Sequence, residues 1–159
     1  MSKYWVVRDT RERNGYWVPE TDASAGTVLA ALKTGDYSIQ GCEQIITVER
    51  KFSSGELYGS LTKKRFTNEL ERLQSFPVKC LLLEFTLADL LSFPKKSGIP
   101  ESKWPKLLPH AVRFMQRRLI EIQISGIPIV FAGNTKDAEM YLRHMFKVFH
   151  EGFLKGLYG

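Results

Sequence analysis

The sequence predicts an α/β fold, a central mixed β-sheet flanked by helices, and three observations lead there. Short apolar runs such as Ile45-Ile46-Thr47-Val48 and Ile127-Pro128-Ile129-Val130-Phe131 have the length and β-branched content of strands. Stretches after Ser53, Leu108 and Asn134 repeat apolar residues mostly three or four apart, the spacing of one helix face. The two kinds of segment alternate, which argues for helices packed on a sheet.

Taken in order, Tyr4-Trp5-Val6-Val7 reads as a strand that ends in Arg8-Asp9-Thr10-Arg11-Glu12. A polar stretch with Gly15, Pro19 and Gly26 reads as loop. Thr27 to Leu32 fits a second short strand or one helical turn. Gly35-Asp36 marks a turn, and Tyr37-Ser38-Ile39 starts another strand. Ile45 to Val48 runs into Glu49-Arg50-Lys51 and reads as a central strand. Ser53 or Ser54 caps a helix with Glu56 in its first turn, where a carboxylate favours the helix dipole. Leu57, Leu61, Phe66, Leu70 and Leu73 form its apolar stripe. Val78 to Phe85 is a buried strand. Residues 92 to 106, with Pro94, Gly98, Pro100 and Pro105, read as loop. Leu108, Val112, Met115, Leu119 and Ile122 lie on one helical face, and Gly126 stops that helix. Asn134 caps a last helix, with Asp137 in its first turn and a stripe of Ala138, Tyr141, Met145 and Phe149.

The 159 residues and 43% hydrophobic content suit one compact domain over residues 1–159. No apolar run approaches the roughly 20 residues that span a bilayer, and the N-terminus lacks a basic-then-apolar leader pattern. No membrane association is expected, and the protein is expected to stay in the cytoplasm. The two cysteines, Cys42 and Cys80, show no metal-ligand spacing and read as reduced thiols. The net charge of +6 favours polyanionic partners, nucleic acid first among them.

Three acidic segments sit at strand ends or turns: Asp9-Thr10-Arg11-Glu12, Gly35-Asp36, and Val48-Glu49-Arg50-Lys51. Alternate strand residues share a face, so Glu49 and Lys51 point one way and Arg50 the other. An acid beside a lysine suits phosphodiester hydrolysis: the acid binds a divalent metal and the lysine orients a water. Asp36, arriving from the preceding turn, supplies a second carboxylate. Hard oxygen ligands select Mg2+ or Mn2+ over zinc. A Glu-x-Lys pair is common and usually marks a solvated strand face, and Glu49 and Lys51 taken alone favour that reading. The order of the acids, and the apolar strand feeding Glu49, shift the reading toward the PD-(D/E)xK arrangement of an acid followed by acid-x-lysine.

Gly35-Asp36, Glu49-Arg50-Lys51, the upstream Asp9-x-Arg11-Glu12, the downstream Leu57-Tyr58-Gly59-Ser60-Leu61 and the strand ending in Leu83-Glu84 occur together in this order. In this the chain resembles the nuclease domain of the XPF family, which includes archaeal Hef-type proteins and phage or bacterial relatives. The resemblance covers nearly the whole chain and is strongest from Val6 to Phe85. It implies a restriction-endonuclease-like sheet and a metal-dependent DNA endonuclease acting on branched, flapped or junction DNA in repair or recombination. By resemblance, Asp36 and Glu49 bind the metal with Asp9 nearby, and Lys51 positions the attacking hydroxide. Arg50 braces Asp9 or Glu12 or contacts DNA, and Arg11 and Glu12 pair beside the site. Glu84 either braces the site or is a solvated strand end.

One departure stands out. The family motif continues from Glu-Arg-Lys through three residues to an aspartate, and that position here is Gly55, with Glu56 one residue later. Glu56 is therefore a candidate replacement or simply a first-turn glutamate. Lys63, Lys64 and Arg65 are expected either to meet phosphates or to form a solvated helix face, with Lys95, Lys96, Lys103, Lys106, Arg113, Arg117 and Arg118 candidates to extend a phosphate track. No base-reading motif is present, so recognition of shape is expected. Tyr58 is a candidate stacking residue, whereas Trp5, Trp17 and Trp104 read as core or loop anchors. The chain has room for neither a helix-hairpin-helix module nor a helicase. A homodimer or another DNA-processing protein is expected to assist, through whatever the helices after Leu108 and Asn134 leave exposed; burial of these helices against the sheet is the competing reading. Two other readings remain open: a catalytically silent DNA-binding or nuclease-partner module, and a sequence-specific restriction-like nuclease.

Overall fold

A computed structural model describes residues 2–158. Six strands form one mixed sheet in the order β2-β1-β3-β4-β5-β6. They are β1 (Tyr4–Asp9), β2 (Ser24–Ala30), β3 (Tyr37–Ile39), β4 (Ile46–Lys51), β5 (Val78–Leu83) and β6 (Ile129–Phe131). The antiparallel pairs are β1 with β3 and β3 with β4; the remaining neighbours run parallel. Parallel β4, β5 and β6 require crossovers, which the helices supply. The helices are α1 (Ser54–Leu61), α2 (Lys64–Leu73), α3 (Leu87–Leu91), α4 (Trp104–Leu107), α5 (Ala111–Ile124) and α6 (Thr135–Leu154). This is the predicted mixed α/β architecture, and Thr27 to Leu32 resolves largely into strand.

Each face of the sheet carries its own apolar core, and the two cores share no residue. Val6, Ile39, Ile46, Val48, Cys80 and Leu82 pack against Ala138, Leu142, Phe146 and Phe149 of α6. Leu81, Leu83 and Phe85 pack with α1, α2 and α5 through Leu57, Leu70, Leu73, Met115 and Leu119. Strand alternation drives this division, and in β4 it sends Ile46, Val48 and Arg50 toward α6 and Thr47, Glu49 and Lys51 toward α1 and α2.

Four local expectations change. The stripe from Leu57 to Leu73 belongs to two helices, because Lys63 is extended (φ −109°, ψ 135°). The five-residue step from Leu61 to Phe66 is the physical reason: one continuous helix would rotate them off a common face. Thr86 and Asp89 form a reciprocal capping box that starts α3, inside a segment without a sequence assignment. Residues 92 to 106 hold a short 3-10 turn and α4 rather than loop alone, and α5 starts at Ala111 because Leu108, preceding Pro109, is extended. The buried stripe of α6 is Ala138, Leu142, Phe146 and Phe149, and Tyr141 is 44% exposed. Apolar residues ring this helix so broadly that spacing alone did not select the face. Among the described residues, no helix is long and apolar enough to cross a membrane.

Candidate active site

The carboxyl ends of β1 and β4 and the turn before β3 lie on neighbouring strands, and Asp9, Glu49 and Asp36 meet at one end of them. Gly35 makes the turn that aims Asp36 there. It has φ +83°, and a Cβ would run into Thr47 Oγ1, so the position requires glycine. The Asp36 N–H donates to Val48 O (2.8 Å), its carbonyl accepts from Asp9 N–H (2.9 Å), and its Oδ2 accepts from Arg50 N–H (2.8 Å). Asp36 is thus pinned between β1 and β4.

A cavity of about 390 Å³ opens beside it, with Asp36, Glu49, Lys51, Glu56 and Glu69 in its lining. Glu49 and Lys51 share the cavity face, with Lys51 Nζ 3.4 Å from Glu49 Oε1. Lys51 also sits 4.7 Å above the centre of the Phe66 ring, which holds its amine in place. Glu49 is buried, and its Oε2 has no hydrogen-bond partner. Burial pushes Glu49 well above the usual carboxylate range; the neighbouring Asp36 raises it further, Lys51 opposes, and Glu69 raises it again. Burial likewise pushes Asp36 up to about 6, against the Arg50 backbone hydrogen bond and Lys51.

Glu69 is a site residue that sequence reasoning missed. It projects from α2 and accepts from Gly35 N–H (3.2 Å). Arg72 lines the same cavity and donates to Thr34 Oγ1 (3.0 Å). Only the break between α1 and α2 decides which way these side chains face, so no motif announces them.

Arg50 lies on the opposite face, as alternation predicts. Its Nε donates to Glu84 Oε2 (2.6 Å), its Nη1 lies 3.6 Å from Glu12 Oε1, and its guanidinium stacks 4.9 Å over the Tyr16 ring. Tyr16 Oη donates to Glu84 Oε2, and Thr135 Oγ1 donates to Glu84 Oε1 (2.8 Å). Glu84 is therefore a buried brace, not a solvated strand end. Burial raises the Glu84 carboxyl, yet Arg50, Tyr16 and Thr135 together bring it below its ordinary value.

Asp9, Arg11 and Glu12 are arranged differently from expectation. Arg11 and Glu12 do not pair with each other. Arg11 Nε donates to Asp9 Oδ2 (2.9 Å), its Nη2 to Leu32 O (2.7 Å), and Leu32 N–H to Asp9 Oδ1 (2.8 Å). Asp9 reaches the cavity wall, but both of its oxygens are already occupied by protein donors. Burial raises Asp9, and its bonds to Arg11 and Leu32 outweigh that and lower it. Glu12 faces Arg50 instead; burial, then Asp36, pushes it up to about 7.

The departure at position 55 has a steric cause. A Cβ on Gly55 would run into the Ser97 carbonyl oxygen and come 3.3 Å from Ile99 Cγ1, so an aspartate does not fit. Glu56 reaches the cavity from the next position. Its N–H donates to Ser53 Oγ (3.0 Å), which makes Ser53 rather than Ser54 the cap, and its Oε1 accepts from Phe52 N–H (3.2 Å). Of the three basic residues expected on DNA, Arg65 lines the cavity; Lys63 and Lys64 are exposed outside it. Tyr58 is half-buried and packs against Phe93 and Phe114 (ring centres 5.3 and 6.0 Å). Trp104 anchors its loop through Nε1–H to Ile99 O (2.9 Å).

Among the described residues, no group of three or more His, Cys, Asp or Glu side chains forms a metal-binding cluster. Magnesium does not need one: it binds through one or two carboxylates and keeps several waters. The unpartnered Glu49 Oε2, in the same cavity as the Asp36 carboxyl, fits such a hard cation.

With this geometry established, comparison identifies relatives. The ERCC4 domain matches residues 8–145. The structure of XPF from Aeropyrum pernix superimposes with a TM-score of 0.61 at 17% identity, covering 91% of this chain and 60% of that one. XPF from Aeropyrum pernix in complex with DNA matches with a TM-score of 0.61 at 16% identity, covering 94% of this chain and 66% of that one. The chain thus spans less than two thirds of either structure. No curated protein matches. Since the domain match takes in the Asp9, Asp36, Glu49 and Glu84 segments together, and the fold is that of XPF, this chain belongs to the ERCC4 domain family of XPF-type nuclease domains.

Proposed function

We propose that the protein is a divalent-metal-dependent DNA endonuclease that hydrolyses phosphodiester bonds in branched, flapped or junction DNA. One observation carries the reading: Glu49 and Asp36, each with a raised pKa, share a cavity with the ammonium of Lys51. Magnesium or manganese bound there supplies Lewis acidity to a phosphate and lowers the pKa of water. Asp36 and Glu49 hold the cation, with Glu69 completing the acidic wall. Lys51, held over Phe66, orients the attacking water and offsets charge that develops on the phosphate. Arg50 keeps the end of β4 rigid through Glu84 and Tyr16. Arg65 and Arg72 meet flanking phosphates.

Labelled flap, junction and linear duplex DNA, incubated with and without magnesium or manganese, test this. Wild type is expected to cut branched DNA only with metal. Asp36→Asn and Lys51→Ala are expected to lose about two orders of magnitude or more in cleavage rate, the scale of one lost electrostatic or acid-base group. Gly55, which stands where the family motif has an aspartate, favours the alternative of a silent binding module. Binding without cleavage by all three proteins gives that answer. We extend the proposal to self-association, because α5 and α6 expose Ile120, Ile124, Met140 and Val148. Sedimentation of the free protein reads it directly.

A further inference from the structure

Behind the catalytic cavity lies a second groove of about 580 Å³, within the range that holds small ligands, roughly 300–1,000 Å³. Arg11, Glu12, Arg50 and Glu56 line both spaces and form the partition between them. The far side of the groove carries Arg13, Asn14 and Phe52.

These three are presented by a built scaffold. Phe52 directly follows Lys51 and is 55% exposed although it is large and apolar. Its backbone is fixed by the hydrogen bond to Glu56, while the ring packs into neither core. The loop that carries Arg13 and Asn14 is tied down from below. Arg8 Nη2 donates to Glu12 O (2.9 Å) and Arg50 Nη1 donates to Arg13 O (3.4 Å). Of the groove's three carboxylates, Glu56 accepts from Phe52 N–H, and Glu12 keeps one buried oxygen, Oε2, without a partner. Glu84 serves Arg50, Tyr16 and Thr135, and Glu12 faces Arg50. Arg13 has no carboxylate partner among the described residues. A free cation, a side-chain amide and an exposed aromatic face in one groove form a receptor for a nucleotide: phosphate on the cation, base on the ring.

We infer that this groove seats one unpaired nucleotide of single-stranded DNA next to the scissile phosphate, with its base on Phe52 and its phosphate on Arg13. The inference rests on the nuclease reading for which phosphate is cut. In a duplex both faces of every base are covered, so a ring that stacks on a base requires an unstacked one. Phe52 and Arg13 then determine specificity by favouring DNA with a single-stranded branch at the cut.

Flap DNA and matched duplex carrying 2-aminopurine at each position flanking the cut provide the test. Fluorescence and affinity are measured in EDTA and in calcium, and cleavage in magnesium or manganese. The proteins are wild type, Phe52→Ala, Phe52→Tyr and Arg13→Gln. One 2-aminopurine position is expected to be quenched by wild type and by Phe52→Tyr but not by Phe52→Ala. Phe52→Ala is expected to bind flap about tenfold more weakly, the scale of one lost base–aromatic stack, with duplex binding unchanged. Arg13→Gln is expected to weaken flap binding in the same selective way. Equal quenching and an unchanged flap-to-duplex ratio in Phe52→Ala overturn the inference. If wild type quenches through Phe52 yet cleaves nothing, the groove stands and the nuclease reading falls. If wild type cleaves without any Phe52 dependence, the reverse holds.

Discussion

The behaviour of the site at the level of single residues follows from burying acids in excess of cations. Asp36, pushed up to about 6 mainly by burial, keeps its proton at a pH where an unfolded aspartate, near 4, has lost it. A carboxyl raised in the folded state contributes stability that is complete below the unfolded value and is lost as pH rises through the folded one. In metal-free protein the Asp36 contribution should therefore fade between pH about 4 and 6. Measured by urea unfolding, Asp36→Asn should gain stability relative to wild type across that window; a constant difference would refute the linkage. Arg50 and Glu84 illustrate the opposite case, a buried pair with a full set of partners. Glu84→Ala leaves the Arg50 charge short of its main partner and should cost about 3 kcal/mol in urea unfolding. The double variant Arg50→Met/Glu84→Leu should cost less than the two single changes added together, because no buried charge remains unpaired.

At the scale of elements, the informative feature is the junction between β4 and α1. Lys51 ends the strand, Ser53 caps the helix, and only Phe52 lies between them, so the site and the helix are coupled within a few residues. Gly55 allows the segment carrying Ser97 to lie directly on α1. Gly55→Asp, which restores the family residue, is expected to destabilise the protein by about 1–3 kcal/mol, the cost of forcing atoms into filled space. A Gly55→Asp variant as stable as wild type in urea would overturn that account.

On the scale of the whole molecule, the sheet divides the protein into two cores, one beneath α6 and one beneath α1, α2 and α5. Phe146→Ala and Met115→Ala truncate side chains on opposite faces, each costing about 2–5 kcal/mol. Because the cores share no residue, the double variant should sum the two losses to within about 0.5 kcal/mol in urea unfolding. A larger coupling energy would mean that the sheet transmits packing changes from one face to the other. Five of the six strands, the common face of Glu49 and Lys51 and the opposite face of Arg50 were legible in the sequence, because strand period and β-branched composition are local properties; β2, which takes in a Gly26 read as loop, was left open. The turn at Gly35-Asp36 was legible for the same reason. Glu69, the engagement of Asp9 by Arg11 and Leu32, the burial of Glu84, the rotated stripe of α6 and the groove at Phe52 were not. Each depends on which distant segment lies opposite, and a one-dimensional pattern does not encode that. The sequence alone determined the layers of the fold and the chemistry available at the strand ends. Tertiary packing alone decided which carboxylates remain without partners, since hydrogen bonding and burial are settled only when the helices close over the sheet.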